Sequence, residues 1–247
     1  MRLDLVNQSI NLSAETQGNG TDMGPISNTA VASRQPAARN TTAEKLLVAV
    51  SELMIERNSI EVSLSDLAQR SGVNAALVKY HFGNKEGLLL ALLARDAETQ
   101  IAHLEHLLKQ PIPPTEKLKL HIAGIINAYY RFPYMNRLLH LLLHDSSDTA
   151  AASVSQFFVK PLLDFQRRLL DEGVAAGEFK AVDPVFFYTH LIGACDHLFH
   201  ARHAMSRAAG VGGVTEEVRR RYIDYMTDTF LGGLLHPGGQ RAAAVAS

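Results

Sequence analysis

SLSDLAQRSGVNAALVKYHF, residues 63–82, decides how the rest of the chain is read. Ser63 precedes Asp66 by three positions, the spacing at which a hydroxyl and a carboxylate satisfy free amides at a helix start. Ser71-Gly72 ends that helix, because glycine enters the left-handed conformation without a Cβ penalty. A second short helix starts at Asn74. Leu67, Ala68, Val73 and Val78 fall on inward positions, and Ala68 has to be small where the second helix crosses it. Two short helices joined by a glycine turn form a helix-turn-helix, whose second helix lies in a DNA major groove. An ordinary helical hairpin has the same pattern, so the motif alone leaves both readings open.

Working outward, Thr41-Thr42-Ala43-Glu44 reads as another capping box, and Leu46, Leu47, Val50, Leu53 and Met54 repeat behind it at helical spacing. A fourth helix is expected from Lys85 to Lys109, before Pro111, Pro113 and Pro114 break it. Beyond them, fifteen of the 17 aromatics fall after residue 128, in helical patterns near 115–131, 134–144, 156–176, 183–206 and 215–235. Asp183-Pro184 and Thr215-Glu216-Glu217 read as helix starts, and Gly210, Gly212 and Gly213 as a loop. No apolar/polar alternation suggests strands, so the fold class is all-α. Residues 1–40 lack any aromatic and are rich in Asn, Ser, Thr and Gly, as is the stretch 237–247 in small residues. Both are expected to be disordered tails. The domain plan is 41–95 for a DNA-binding head and 96–236 for a helical regulatory and dimerisation domain.

Composition narrows the class. The 247 residues carry 24 basic and 25 acidic side chains, net charge −1, which argues against wholesale nucleic-acid binding but allows a local patch. The longest apolar run, Leu88–Ala94, is too short to span a bilayer, and the start MRLDLVNQSI does not read as a secretory signal. A cytoplasmic protein without membrane contact is expected. Cys195, the single cysteine, excludes an intrachain disulfide and reads as inert core. No phosphate loop, Gly-x-Ser-x-Gly or His-Glu-x-x-His occurs, so neither an enzyme nor a resident cofactor is expected.

Leu67-Ala-Gln-Arg-Ser-Gly-Val73, followed by Tyr80-His81-Phe82-Gly83-Asn84-Lys85-Glu86-Gly87, resembles the amino-terminal domain of the tetracycline-repressor (TetR) family of bacterial regulators. The likeness covers about residues 40–95. Lys79-Tyr80 departs from it, since the family often has two aromatics before His-Phe. Glu172-Gly173 to Phe179, then Asp183-Pro184, is similar to the family's bridge between late helices. The resemblance implies a homodimer with a three-helix head on an operator in double-stranded DNA. It further implies a helical domain that binds a small effector and, in most members, repression.

Residue roles follow from chemistry and position. Asn74, Ala75 and Ala76 begin the recognition helix and would meet base edges, an alanine against a thymine methyl and Asn74 as cap or adenine reader. Lys79, Tyr80, His81 and Lys85 read as backbone contacts, with Thr41, Thr42 and Ser63 adding hydroxyls or amides at helix starts. Phe82 reads as core. From Asp66 to Lys85 the net charge is modest, with Arg70, Lys79 and Lys85 against Asp66. In the regulatory domain, Tyr129, Tyr130, Phe157, Phe165 and Phe187 are expected as apolar walls for a largely apolar effector. Arg131, His140, His144, His190 and His197 are its expected polar handles. The alternative is a metal-responsive regulator or metal-dependent helical protein using His140/His144 and His197/His200/His203. Helices 183–206 and 215–235 are apolar on more than one side, which points to a dimer interface, with Phe187 and Met226 among its expected contacts.

Overall fold

The structure, a computed structural model, describes residues 35–210 and 213–236, with side chains from residue 41 onward except those of Thr99, His203 and Ala209. Its elements are α1 (Gln35–Arg57), α2 (Leu64–Ser71), α3 (Ala76–Phe82), α4 (Lys85–Leu108), α5 (Pro114–Arg131), α6 (Met135–His144) and α7 (Asp148–Val154). A π-helical turn (Ser155–Val159) leads into α8 (Lys160–Ala175), followed by α9 (Pro184–His200), α10 (Arg202–Ala209) and α11 (Glu216–Leu234). Among the described residues the sole extended pairing is an isolated antiparallel bridge between Phe179 and Leu235. The protein is all-α. No helix among them is long and apolar enough to cross a membrane.

Several sequence expectations change at element ends. Of the tail expected over 1–40, residues 1–34 lie outside the described residues, as does the stretch 237–247, while Gln35–Asn40 are helical. Thr41-Thr42-Ala43-Glu44 therefore sits inside α1, and its resemblance to a capping box does not mark a helix start. The stretch 183–206 is two helices, parted at Ala201. The short α7 was not anticipated, because DTAAASV carries no apolar stripe long enough to show a period.

The backbone packs as two units: residues up to 95 with Arg137–Ser153, and Asp96–Asn136 with residues from 154 onward. In the first, the apolar stripe of α1 (Leu46, Val50, Leu53, Met54) is buried together with Leu67, Val78, Phe82, Leu88 and Leu92. Two long-range ties bring Arg137–Ser153 to this unit rather than to the domain that the sequence plan ran across 96–236. Arg137 donates to the Asn58 carbonyl at 2.7 Å and to its side-chain oxygen at 2.9 Å. Asn58 ends α1 at φ +49°, a left-handed geometry that asparagine tolerates. Glu86 accepts from the Ser147 amide at 2.8 Å and hydroxyl at 2.6 Å, at the start of α7.

In the second unit α5 is central and packs on α8, α9 and α11. Leu118, Ile122 and Ile126 of α5 are buried, as are Leu169, Leu191, Cys195 and Phe199. The starts at Asp183 and Thr215 are as read: each side chain accepts amides of the first turn. Phe179, buried after α8, lies against Gly173 so closely that a Cβ there would fall 1.9 Å from its ring. The bridge between late helices is thus closed by an aromatic on a glycine.

Candidate nucleic-acid interface and effector region

α2 begins with a complete capping box. The Ser63 hydroxyl accepts from the Asp66 amide at 3.1 Å, and the Ser63 amide donates back to the Asp66 carboxylate at 3.3 Å. The Arg57 guanidinium, at 2.8 and 2.9 Å, holds the Asp66 carboxyl well below the usual carboxylate range, with Ser63 adding to the effect. Ser63 also donates its hydroxyl to Asp66 at 2.6 Å, so that hydroxyl is spent inside the box. Gly72 then ends α2 at φ +66°, where its amide donates to Ala68.

α3 starts two residues later than expected, at Ala76, because Asn74 and Ala75 form the turn that leads into it. The Asn74 side-chain oxygen accepts from the Ala76 amide at 2.9 Å, closing the turn that leads into α3, whose N-cap position is Ala75. Val78 and Phe82 are buried and anchor α3 to the core, as expected for Phe82. The opposite face carries Ala76, Lys79 and Tyr80 outward, with Tyr80 55% exposed and Ala75 and His81 half-buried. The Tyr80 ring meets that of His81 edge-on at 5.0 Å. Asn84 caps α4 by accepting the Gly87 amide at 2.8 Å, which leaves Lys85 exposed on the first turn. Gly87 is required there, since a Cβ would lie 2.0 Å from the Phe82 carbonyl oxygen.

Charge on this face differs from the sequence count. Arg70 is taken up by Glu56 and, at 3.4 Å, by Glu52, both on α1. Lys79 and Lys85 take part in no ion pair among the described residues, and they carry the face's positive charge. Thr41 and Thr42 lie within α1, not at a helix start, and Thr41 lines a shallow groove in which Glu44 and Glu52 are balanced by Lys45 and Arg70. Thr41, Thr42 and Ser63 are thus weaker candidates than the α3 and α4 residues.

The ten side chains expected around an effector are dispersed. Tyr129, Phe165 and Phe187 are buried in the second unit and Phe157 is half-buried in the π turn. Tyr129 lies 6.2 Å from Phe199, Phe165 lies 4.5 Å from His121, and Phe187 packs edge-on against Phe230 at 5.6 Å. Tyr130, Arg131, His190 and His197 are exposed. His140 and His144, stacked at 5.9 Å and exposed, belong to the segment that packs with the first unit. The stacked pair and His197 with His200 face solvent, and no three of His, Cys, Asp or Glu converge among the described residues. The metal reading therefore finds no support. Cys195 is buried in the apolar core, which pushes its thiol up to about 12.

Sequence reading missed two side chains. His121 and Gln166 are buried polar groups in the middle of α5 and α8. A signal for them exists, because each occupies a position where the helical stripe calls for an apolar residue.

Comparison with known proteins matches residues 46–92 to the family of bacterial regulatory proteins called the tetR family. Residues 111–240 match the tetracyclin repressor-like C-terminal domain. The nucleoid occlusion factor SlmA of Cronobacter sakazakii is 24% identical over 168 residues, 67% of this chain and 84% of that protein. Among solved structures, the ketosteroid transcriptional regulator KstR2 of Mycobacterium tuberculosis superposes with a TM-score of 0.60 at 17% identity, covering 84% of this chain and 100% of that one. The transcriptional regulator FadR from Bacillus subtilis, in complex with stearoyl-CoA, gives 0.57 at 19% identity, covering 74% of this chain and 97% of that one.

Proposed function

The chain belongs to the tetracycline-repressor family of bacterial transcriptional regulators, and we propose that it is a homodimeric repressor released from its DNA operator by a small, largely apolar effector. The observation that carries this reading is the division of α3: Val78 and Phe82 inside, Lys79, Tyr80 and Ala76 outside, with Lys85 beside them. A rigidly anchored helix with outward cations at that spacing suits phosphate contacts flanking a few base contacts. Lys79, Tyr80, His81 and Lys85 hold the backbone; Ala75 and Ala76 offer methyl surface to thymine, with Asn74 closing their turn.

For the dimer, α9 and α11 supply the apolar surface. Phe187 and Met226 are buried within the protomer, so they support the helices rather than meet a partner. The outward residues are Phe186, 76% exposed, and Tyr225, 64% exposed, with Val182 and Val185 nearby. Gly193 on α9 and Gly232 and Gly233 on α11 are exposed, and a Cβ at each would meet nothing within 4 Å. Glycine within a helix costs about 1 kcal/mol against alanine, so open glycines beside exposed aromatics favour close approach by a second copy. An effector acts on such a dimer by binding one head spacing better than another, and about 1.4 kcal/mol of preference changes operator affinity tenfold.

The test uses the DNA upstream of the gene in a fluorescence-anisotropy titration. Lys85→Ala and Tyr80→Ala each lower affinity by roughly tenfold in folded protein, and Lys85→Ala also reduces the salt slope by about one. Unchanged affinity in both variants removes the DNA-contact assignment. Phe186→Asp yields monomers by sedimentation, whereas a wild-type monomer at micromolar concentration removes the dimer.

A further inference from the structure

Among the described residues, the second unit buries Asp96, Lys117, His121 and Gln166. The first two are answered within the protein. The Tyr134 hydroxyl donates to Asp96, and the Lys117 ammonium donates to the Leu108 carbonyl at 2.8 Å and to Glu172 at 2.7 Å. The last two are answered in part. Gln166 donates its amide Nε2 to His121 Nε2 at 3.0 Å, while its Oε1, fully buried, has no partner among the described residues. Turning the amide over exchanges the orphaned atom and leaves the deficit. Native interiors rarely keep such a group unanswered.

Beside the deficit there is room. Lys117 faces Glu172 and, one turn on, His121 faces Gln166, so α5 and α8 run antiparallel. The next turn sets Gly124 opposite Leu162 and Leu163, which are half-buried. A Cβ at Gly124 would meet nothing within 4 Å. Beyond them, before the N-terminus of α8, comes the π-helical turn with Phe157 and Phe158, also half-buried. π turns cost regular hydrogen bonding and recur at functional sites. A lane of unsealed apolar side chains thus ends on a buried polar pair that lacks a partner.

We propose that this lane receives the effector, and that the His121–Gln166 pair selects an uncharged ligand whose polar end is a hydroxyl. The proposal rests on the reading of the second unit as an effector domain. A hydroxyl donates to Oε1 or accepts from the amide nitrogen, so it completes the pair in either amide orientation. Burial lowers His121 to about 3, so the imidazole is neutral at physiological pH and offers no charge to a carboxylate. Lys117 is one turn away, its charge already matched by Glu172.

The experiment is thermal denaturation of the full chain with decanol, decanoate and decanoyl-CoA. Decanol raises Tm of the wild type by about 5–10 °C at roughly hundredfold excess over its Kd, and decanoate raises it much less. Gln166→Leu removes the orphaned amide and keeps at least the wild-type Tm without ligand, yet loses about tenfold in decanol affinity. Gly124→Leu fills the lane and abolishes the decanol response. Equal decanol affinity in Gln166→Leu and wild type overturns the proposal, as does no response to decanol. If decanoate or decanoyl-CoA stabilises the protein instead, the effector reading survives and this one falls. Silence to every probe removes both.

Discussion

The two units of the molecule keep their polar groups in opposite places. In the first, arginines pair with carboxylates on the surface: Arg57 with Asp66, Arg70 with Glu52 and Glu56, Arg95 with Glu44. Ser51 is the one buried polar side chain there among the described residues. The second unit instead takes an aspartate, a lysine, a histidine and a glutamine into its core. A DNA-reading head needs a stiff apolar interior and outward cations, and surface pairs that trim excess charge suit it. On the proposed reading of the second unit as an effector domain, polar groups inside suit it, because low dielectric makes each hydrogen bond discriminating.

That contrast can be broken by substitution. Lys117→Ala deprives the Leu108 carbonyl and Glu172 of a buried donor and costs about 3 kcal/mol, whereas Arg57→Ala, on the surface, has a much smaller effect. Differential scanning calorimetry measures both, and equal losses would contradict the contrast.

Acid sharpens it further. His121 has its pKa lowered by burial from 6.5 to about 3. Between those values the unfolded chain binds a proton that the folded chain does not. Stability therefore falls as pH drops below about 6.5, by up to ~1.4 kcal/mol per pH unit. His121→Leu, whatever its absolute stability, shows a flatter dependence between pH 6.5 and 4 in urea melts; an unchanged slope would assign the acid sensitivity elsewhere. Asp66 works in the same direction by another route. Its carboxyl is depressed from 3.8, so its contribution is complete above that value and fades as pH falls below it.

The smallest effect belongs to the head. Ser63→Ala opens the capping box of α2 and costs about 1 kcal/mol. Operator affinity of the folded variant stays near that of wild type, because Ser63 spends its hydroxyl on Asp66. A tenfold affinity loss in anisotropy would instead make Ser63 a DNA contact.

Much of the head was legible because its determinants are local. A cap three residues from its acid, a glycine past a helix end, and inward positions at three-four spacing each act within one turn. Ser63, Gly72, Val78 and Phe82 were accordingly read in their structural roles. Local reading also misled where the same letters lack their context. Thr41-Thr42-Ala43-Glu44 spells a capping box, but the chain before it is already helical, so its amides have partners.

The region proposed for an effector was less legible because its polar partners come from distant elements. Aromatic content alone named Phe165 and Phe187, both buried, but also Tyr130, which lies at the surface under Arg219. Composition says that α9 and α11 are apolar on several sides; packing decides that Phe187 turns inward and Phe186 outward.

Helices, caps and the order of elements rest on side-chain spacing and backbone preference, which act over four residues and are written in the chain. Three assignments rest on contacts between residues 45 to 79 positions apart: His121 to Gln166, Lys117 to Glu172 and Arg137 to Asn58. Those depend on how helix faces meet after the core closes, when a buried polar atom either finds a partner across the interface or is left without one. Periodicity marks which face is inward. It carries no record of which inward residue meets which, and that pairing is where the second unit's chemistry lies.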